Sequence, residues 1–247
     1  MSLPLGVVAL PLTAAAAVYL VAALGSRRPW PAGRTACWLA GLACVGAAVS
    51  PAFAGHDLRV HMAAHLLLGM VAPVFLALAR PVTLALRALP AARARRLGRV
   101  LRTPPVRVLS DPVVATALNI AGLWLLYGTG LLTAMLHSPS LHLLASAHVL
   151  LTGWLATAAV LGLEPSAHRR GVVVRALALA GGMAAHDVLA KALYAHPPAG
   201  VAGAEAGAQL MYNGGTVVHL VVAALLWRQW YRSRATVRAA FPARLPG

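Results

Sequence analysis

The stretch that decides the fold is residues 57–79, DLRVHMAAHLLLGMVAPVFLALA, in which a short polar head with two histidines leads into a long apolar run. Its length is close to the roughly 20 apolar residues that an α-helix needs to cross a bilayer. Six more apolar runs occur along the chain, at about 5–24, 34–50, 112–135, 140–162, 172–194 and 208–231. The sequence therefore predicts an all-α polytopic membrane protein in which residues 1–247 form a single domain of seven transmembrane helices.

The composition excludes a water-soluble domain. Apolar residues make up 60% of the chain and charged residues 11%, whereas soluble domains carry roughly a quarter charged residues. The net charge of +16 could suggest nucleic acid as a partner, but basic nucleic-acid binders have soluble folds and base-stacking aromatic residues. We therefore expect the lipid bilayer as the environment and no nucleic-acid partner.

The basic residues predict an orientation. Nineteen of the 21 Lys and Arg residues fall in every second connection or in the C-terminal segment, and short cytoplasmic loops are the ones enriched in Lys and Arg. This places the N-terminus outside and the C-terminus in the cytoplasm, with a basic cytoplasmic loop at about 80–111 and a basic cytoplasmic tail at about 232–247. The outer connections are then 51–56, 136–140 and 195–207.

Histidines collect at the opposite side from the arginines. On the third predicted helix, Asp57, His61 and His65 are spaced i, i+4, i+8 and share one face, which suits a ladder of metal ligands or a proton path. Ionisable groups inside a bilayer are costly and mark functional sites. The alternative is structural: the histidines bond to neighbouring helices, and Asp57 pairs with Arg59 or Lys191.

Three further predicted helices carry histidines at comparable depth. Neutral imidazole is a common metal ligand, and a thioether beside it suits copper, particularly Cu(I). The alternatives are packing methionines and histidines that are solvated or hydrogen-bonded between helices. The candidates are His142 and His148 on the fifth helix, Met183 and His186 on the sixth, and Met211 and His219 on the seventh.

Catalytic machinery is not apparent in the sequence. The chain has five acidic residues in all and no nucleophile elbow, phosphate-binding loop or zinc-protease helix. We therefore expect a protein that is not an enzyme.

The third helix also carries a family resemblance. The string His61-Met62-Ala63-Ala64-His65, the leucine run after it, and Ala72-Pro73 resemble the CtaG family of bacterial cytochrome c oxidase assembly proteins. The similarity extends over about residues 30–232. Leu78 and Arg80-Pro81 continue this match, and weaker matches are Asp111-Pro112, Trp124, the segment 142–153, Trp227 and Trp230.

The resemblance implies a seven-helix, multi-pass protein of the bacterial plasma membrane that inserts or delivers copper during oxidase maturation. His61, His65, His142 and His148 match the family's histidine positions. The implied partners are a cytochrome c oxidase subunit and an extracytoplasmic copper donor. Our hypothesis is transient copper holding at the outer face, centred on His61 and His65. The remaining candidate ligands are His142, His148, His186, His219, Asp57, Met183 and Met211.

Two other functions remain open from the residues alone. A b-type haem protein would need axial histidines on two helices, for which His65 with His148 or His219 would serve. A copper or proton transporter could use Asp57, His61 and His65 as a relay, together with a pair formed by Asp187 and Lys191.

Overall fold

A computed structural model describes residues 5–53, 57–166, 169–198 and 201–240, and all their regular secondary structure is helical. A 3₁₀ turn lies at Pro51–Phe53 and a π-helical turn at Leu67–Val71. The helices are α1 (Leu5–Leu24), α2 (Ala32–Ala48), α3 (Leu58–Leu66), α4 (Ala72–Ala79), α5 (Pro81–Ala88), α6 (Ala91–Val100), α7 (Pro104–Leu109), α8 (Pro112–Gly128), α9 (Leu131–His137), α10 (Pro139–Leu161), α11 (Val172–Ala195) and α12 (Ala204–Ala240).

The all-α membrane character is confirmed. Four helical stretches of the described chain are long and apolar enough to cross a bilayer: Leu58–Ala88, Pro139–Leu161, Val172–Ala195 and Ala204–Ser233. Two shorter apolar helices cover Ala9–Leu24 and Pro112–Gly128. Large apolar side chains lie open at the helix surfaces, for example Leu24 at 87% and Leu10 at 73% exposure, as expected for helices that face lipid. The count of seven spans and the orientation stay predictions.

The helix of residues 58–79 lies at the centre of the bundle. It packs against α2, α10 and α12, while α8 packs against α10 and α11. In its most apolar window 56% of the residues are buried, against 22–28% in the other three long helices. Side chains on its two histidine-bearing turns therefore meet neighbours from several helices.

A π-helical turn interrupts this central helix just after His65. Proline at position 73 has no N–H for the carbonyl of Gly69, and its ring would clash with that carbonyl in a regular α-helix. The Gly69 carbonyl packs instead against the backbone of Gly153 on α10, where a Cβ atom would collide with it. The widened turn and the paired glycines bring α10 close to the central helix at this turn, and such turns often mark functional sites.

The prediction of one continuous helix at 112–135 was wrong. The chain has α8 and α9 with a break at Thr129, and Thr129 Oγ1 accepts a hydrogen bond from Leu131 N–H at 3.2 Å. The predicted basic connection at 80–111 contains the short helices α5, α6 and α7, and its cytoplasmic placement stays a prediction. The part of the predicted basic tail beyond residue 240 lies outside the described residues.

Each end of the bundle has its own apolar cluster. One cluster joins the start of α3 and α12 to the ends of α8 and α11, through residues such as Leu58, Leu126 and Leu193. The other joins α4, α10 and α12 at the basic end, through Val74 and Leu226. The histidines of the central and last two helices lie between these two layers, shielded from both ends.

Candidate metal site

Three helices bring histidine side chains together inside the bundle. The ring centroids of His65 on α3 and His186 on α11 are 6.3 Å apart, and those of His186 and His219 on α12 are 5.2 Å apart. Asp187 Oδ1 lies 3.8 Å from His186 Nδ1, which is too long for a hydrogen bond. We call His65, His186, Asp187 and His219 the histidine cluster.

The donor atoms of this cluster lack partners. Within the described part of the chain, no hydrogen-bond partner meets His65 Nε2, either ring nitrogen of His186, Asp187 Oδ1 or His219 Nδ1. Each buried polar atom left without a partner costs roughly 1–3 kcal/mol. We call these the open donor atoms. Those of α11 and α12 lie close together, which is the arrangement expected where a cation or water completes the site.

The distances fit one metal ion. The donor atoms of His186, Asp187 and His219 all lie within 4.8 Å of one another. Two nitrogen or oxygen ligands of one metal, each at about 2 Å from it, lie at most about 4 Å apart. Side-chain movements of less than about 1 Å would therefore close the site. The two imidazoles and the carboxylate of this set suit copper, zinc or iron, and the ring of His65 lies next to the set, 6.3 Å from that of His186 between centroids.

A glycine on α12 makes room for the central ring. A Cβ atom on Gly215 would collide with His186 Cε1 and would lie 3.0 Å from Nδ1. Trp124 Nε1 of α8 donates to the carbonyl of Ala185 at 3.3 Å and ties α8 to the turn that carries His186. The His186 ring, 1% exposed, packs directly against the backbone of α12 at Gly215.

A cleft leads from the bundle surface to the cluster. Its lining includes His61, His65, Tyr127, Met135 and the exposed His142 of α10. We call it the lateral cleft. The space that the centres of water molecules can occupy in it is about 50 Å³, against the roughly 10–15 Å³ that one water needs. A few water molecules, or an ion that has lost most of its water shell, therefore have room to enter.

Tyr127 lies between the first two histidines of the cleft. Its hydroxyl is 3.0 Å from His61 Nε2, and its ring meets those of His61 and His65 edge-on, at 5.8 and 5.7 Å between centroids. When His61 Nε2 carries the proton and donates to this hydroxyl, Nδ1 keeps its lone pair. That tautomer would leave His61 able to bind a metal.

Asp57 does not join the other predicted ligands. It precedes α3, where its carboxylate accepts from Arg59 N–H at 2.8 Å and from the Arg59 guanidinium at 2.6 Å. These hydrogen bonds hold the pKa of Asp57 below its usual range. The carboxylate therefore caps the helix, which is the structural alternative recognised from the sequence.

The structure separates other predicted ligands from the cluster. The ring of His148 packs against Gly122 of α8 and its side chain is exposed, while the adjacent Val149 faces α3. Met211 is fully buried in the apolar layer at the histidine end, which also holds Met62 and Met135. Met183 is partly buried one turn before His186.

Two residues of the site were not expected as such. Asp187 was predicted to pair with Lys191, but it lies beside His186, while Lys191 Nζ lies 5.2 Å from the centroid of the Tyr212 ring. Tyr127 is not among the residues predicted for the site. Its sequence context could have indicated it, because a tyrosine within an apolar helix usually needs a hydrogen-bond partner for its hydroxyl.

Comparisons with known proteins identify relatives. The sequence model described as cytochrome c oxidase caa3 assembly factor (Caa3_CtaG) matches residues 17–233. The uncharacterized protein Mb0105 of Mycobacterium bovis is 32% identical over 151 residues, covering 57% of this chain and 23% of that protein. The uncharacterized protein ML1998 of Mycobacterium leprae is 29% identical over 158 residues, covering 59% and 24%. The chain thus spans about a quarter of the length of these relatives, and no solved structure matches it.

Proposed function

Because the chain belongs to the family of cytochrome c oxidase caa3 assembly factors, we propose that it serves oxidase maturation by holding copper at the histidine cluster and passing it on. The role in oxidase assembly follows from the family. The copper cargo rests on one observation above all: open donor atoms of α11 and α12 lie within 4.8 Å of one another, with the ring of His65 on α3 beside them.

Copper suits this site better as a cargo than as a permanent component. Imidazole binds copper, and soft thioethers favour Cu(I). Met135 lies in the lateral cleft next to His61 and His65. No cysteine contributes to the cleft lining or to the cluster within the described chain. Without a thiolate, the ion can be surrendered to an acceptor by exchange of neutral ligands.

The proposed topology follows from the same features. Seven membrane crossings are formed by α1, α2, the central helix of residues 58–79, α8, α10, α11 and α12. Positive residues lie at the end opposite the histidines, so the positive-inside rule puts the histidine end outside, with the N-terminus outside and the C-terminus in the cytoplasm. The histidine end of the bundle then faces the extracytoplasmic side of a bacterial plasma membrane, where an oxidase subunit and a copper donor would meet it.

The role proposed is binding and transfer without catalysis. The histidine cluster offers ligands, and two acidic side chains outside it are engaged in contacts at helix ends. Glu164 accepts from Val82 N–H and Thr83 N–H, each at 2.9 Å, and Asp111 pairs with Arg170 at 2.6 Å. These contacts fix helix ends at the basic face of the bundle.

The proposed function is tested in cells by measuring the copper content of the oxidase. Deleting the gene should lower the copper content and activity of the oxidase while leaving its polypeptides and haem detectable. Expression of the parent chain or of His196→Ala, a variant of an exposed histidine at the end of α11, should restore both. Expression of a His186→Ala/His219→Ala double variant should not.

Two results would refute this function. A normal copper content of the oxidase in the deletion strain would show that the chain does not supply copper to it. Full rescue by the double variant, at equal protein level, would show that the assembly role does not use the histidine cluster.

A further inference from the structure

The lateral cleft joins an exposed histidine to a buried one. His142 lies at its exposed side, and His65, which is 6% exposed, belongs both to the cleft lining and to the histidine cluster. The cleft thus provides a continuous space from the bundle surface to the side chain of His65. The cluster itself lies between two apolar layers, which a charged ion would not cross unaided.

The cleft is lined with ligands of the type that Cu(I) prefers. Imidazoles of His61 and His142 and the thioether of Met135 face one space, and this combination of soft and borderline donors suits Cu(I). His61 and His65 are one helical turn apart on α3, so their Cβ atoms are separated by roughly 5–6 Å. Tyr127 fixes the ring of His61 by its hydrogen bond. A copper ion at His61 would therefore be within one ligand exchange of His65.

We propose that the lateral cleft is the port through which Cu(I) reaches the histidine cluster, with His142 and His61 as its first ligands and Met135 assisting. This inference rests on the proposed function. The ion moves inward as imidazole of His65 replaces imidazole of His142, and then as His186 and His219 replace His61. Copper keeps its oxidation state in each exchange, and no proton or electron is consumed.

A second cavity provides a competing route. Its lining includes His219, Thr116, Asn119 and Thr157. Thr152 Oγ1 donates to Asn119 Oδ1 at 3.1 Å nearby. Its lining carries Met70 but no histidine other than His219 among the described residues. The lateral cleft is favoured because it supplies two further imidazoles before the cluster is reached.

The experiment measures the rate of copper uptake by the purified full chain in detergent. Cu(I) is supplied anaerobically as a chelator complex, and bound copper is followed over time by rapid desalting and elemental analysis. Two variants impair the port: His142→Ala removes its outer ligand, and Ala145→Phe fills the cleft, which Ala145 lines. The controls are His196→Ala, at the same end of the bundle, and Thr157→Phe, which fills the second cavity.

Both port variants should take up copper at least about tenfold more slowly and still reach the same final copper per chain. Both controls should match the parent. The proposal is overturned if His142→Ala and Ala145→Phe load at the parental rate, or if Thr157→Phe is the variant that loads slowly. Because Ala145→Phe could perturb folding, His142→Ala decides if the other variant is not monodisperse. A parent that takes up no copper refutes the proposed function instead, since the rate comparison requires uptake.

Discussion

Replacing His186 with leucine is expected to stabilise the metal-free protein and to abolish tight copper binding at the same time. Both ring nitrogens of His186 are open donor atoms and the side chain is 1% exposed. Removing a buried polar group that has no partner relieves a penalty of roughly 1–3 kcal/mol, and leucine has a similar volume. Removing a central ligand should weaken copper binding more than about 100-fold, since even residues that only orient a ligand cost roughly 10- to 100-fold.

Thermal unfolding of the metal-free protein and copper titration against a chelator measure the two effects. A merely structural histidine would behave in the opposite way, because its loss would lower the melting temperature. His196→Leu is the matched control, since that side chain is exposed at the end of α11, and it should leave copper affinity unchanged. A melting temperature lowered by His186→Leu, with copper affinity intact, would show that the ring serves packing alone.

Gly215→Ala is expected to weaken copper binding although it replaces none of the proposed ligand residues. The added methyl group would collide with His186 Cε1 and lie 3.0 Å from Nδ1. His186 is only 1% exposed, so the ring has little free space into which it can retreat. Overpacking of this kind costs roughly 1–3 kcal/mol, and displacement of the ring should lower copper affinity at least about tenfold.

Gly181→Ala is the matched control for this substitution. Nothing lies within 4 Å of a Cβ atom at Gly181, so alanine should be tolerated and should even favour the helix by up to about 1 kcal/mol. Melting curves and chelator competition on both variants separate the two cases. Equal copper affinity in Gly215→Ala and the parent would show that the position of the His186 ring does not control binding.

The sequence predicts the depth of the histidines better than the direction in which they face. His65, His186 and His219 lie on three apolar runs at similar distances from the histidine-rich end, and the structure brings these rings together. His148 fulfils the same depth criterion but faces Gly122. A helix that is apolar on all sides has no hydrophobic face to specify its rotation, so the choice among such histidines comes from packing.

Two local features were also predictable only in part from the sequence, because the rest depends on packing between helices. Pro73 predicts a disturbance in the central helix, because it lacks an N–H, but the π-helical form of the turn depends on the close approach of Gly153. The flanking residues Gly128 and Gly130 indicate the break at Thr129. They are overlooked when residues 112–135 are treated as one continuous apolar run. Asp187 becomes a cluster residue because Lys191 lies over the ring of Tyr212, a contact between helices that spacing along one helix does not reveal.

The most direct test of copper holding is elemental analysis of the purified chain after anaerobic loading with Cu(I) and desalting. A His65→Ala/His186→Ala/His219→Ala variant and His196→Ala are loaded beside the parent. We expect about one copper per chain in the parent and in His196→Ala, and essentially none in the triple variant. Absence of copper from the parent, retention of copper by the triple variant, or iron with a haem absorption band in the parent would contradict the account.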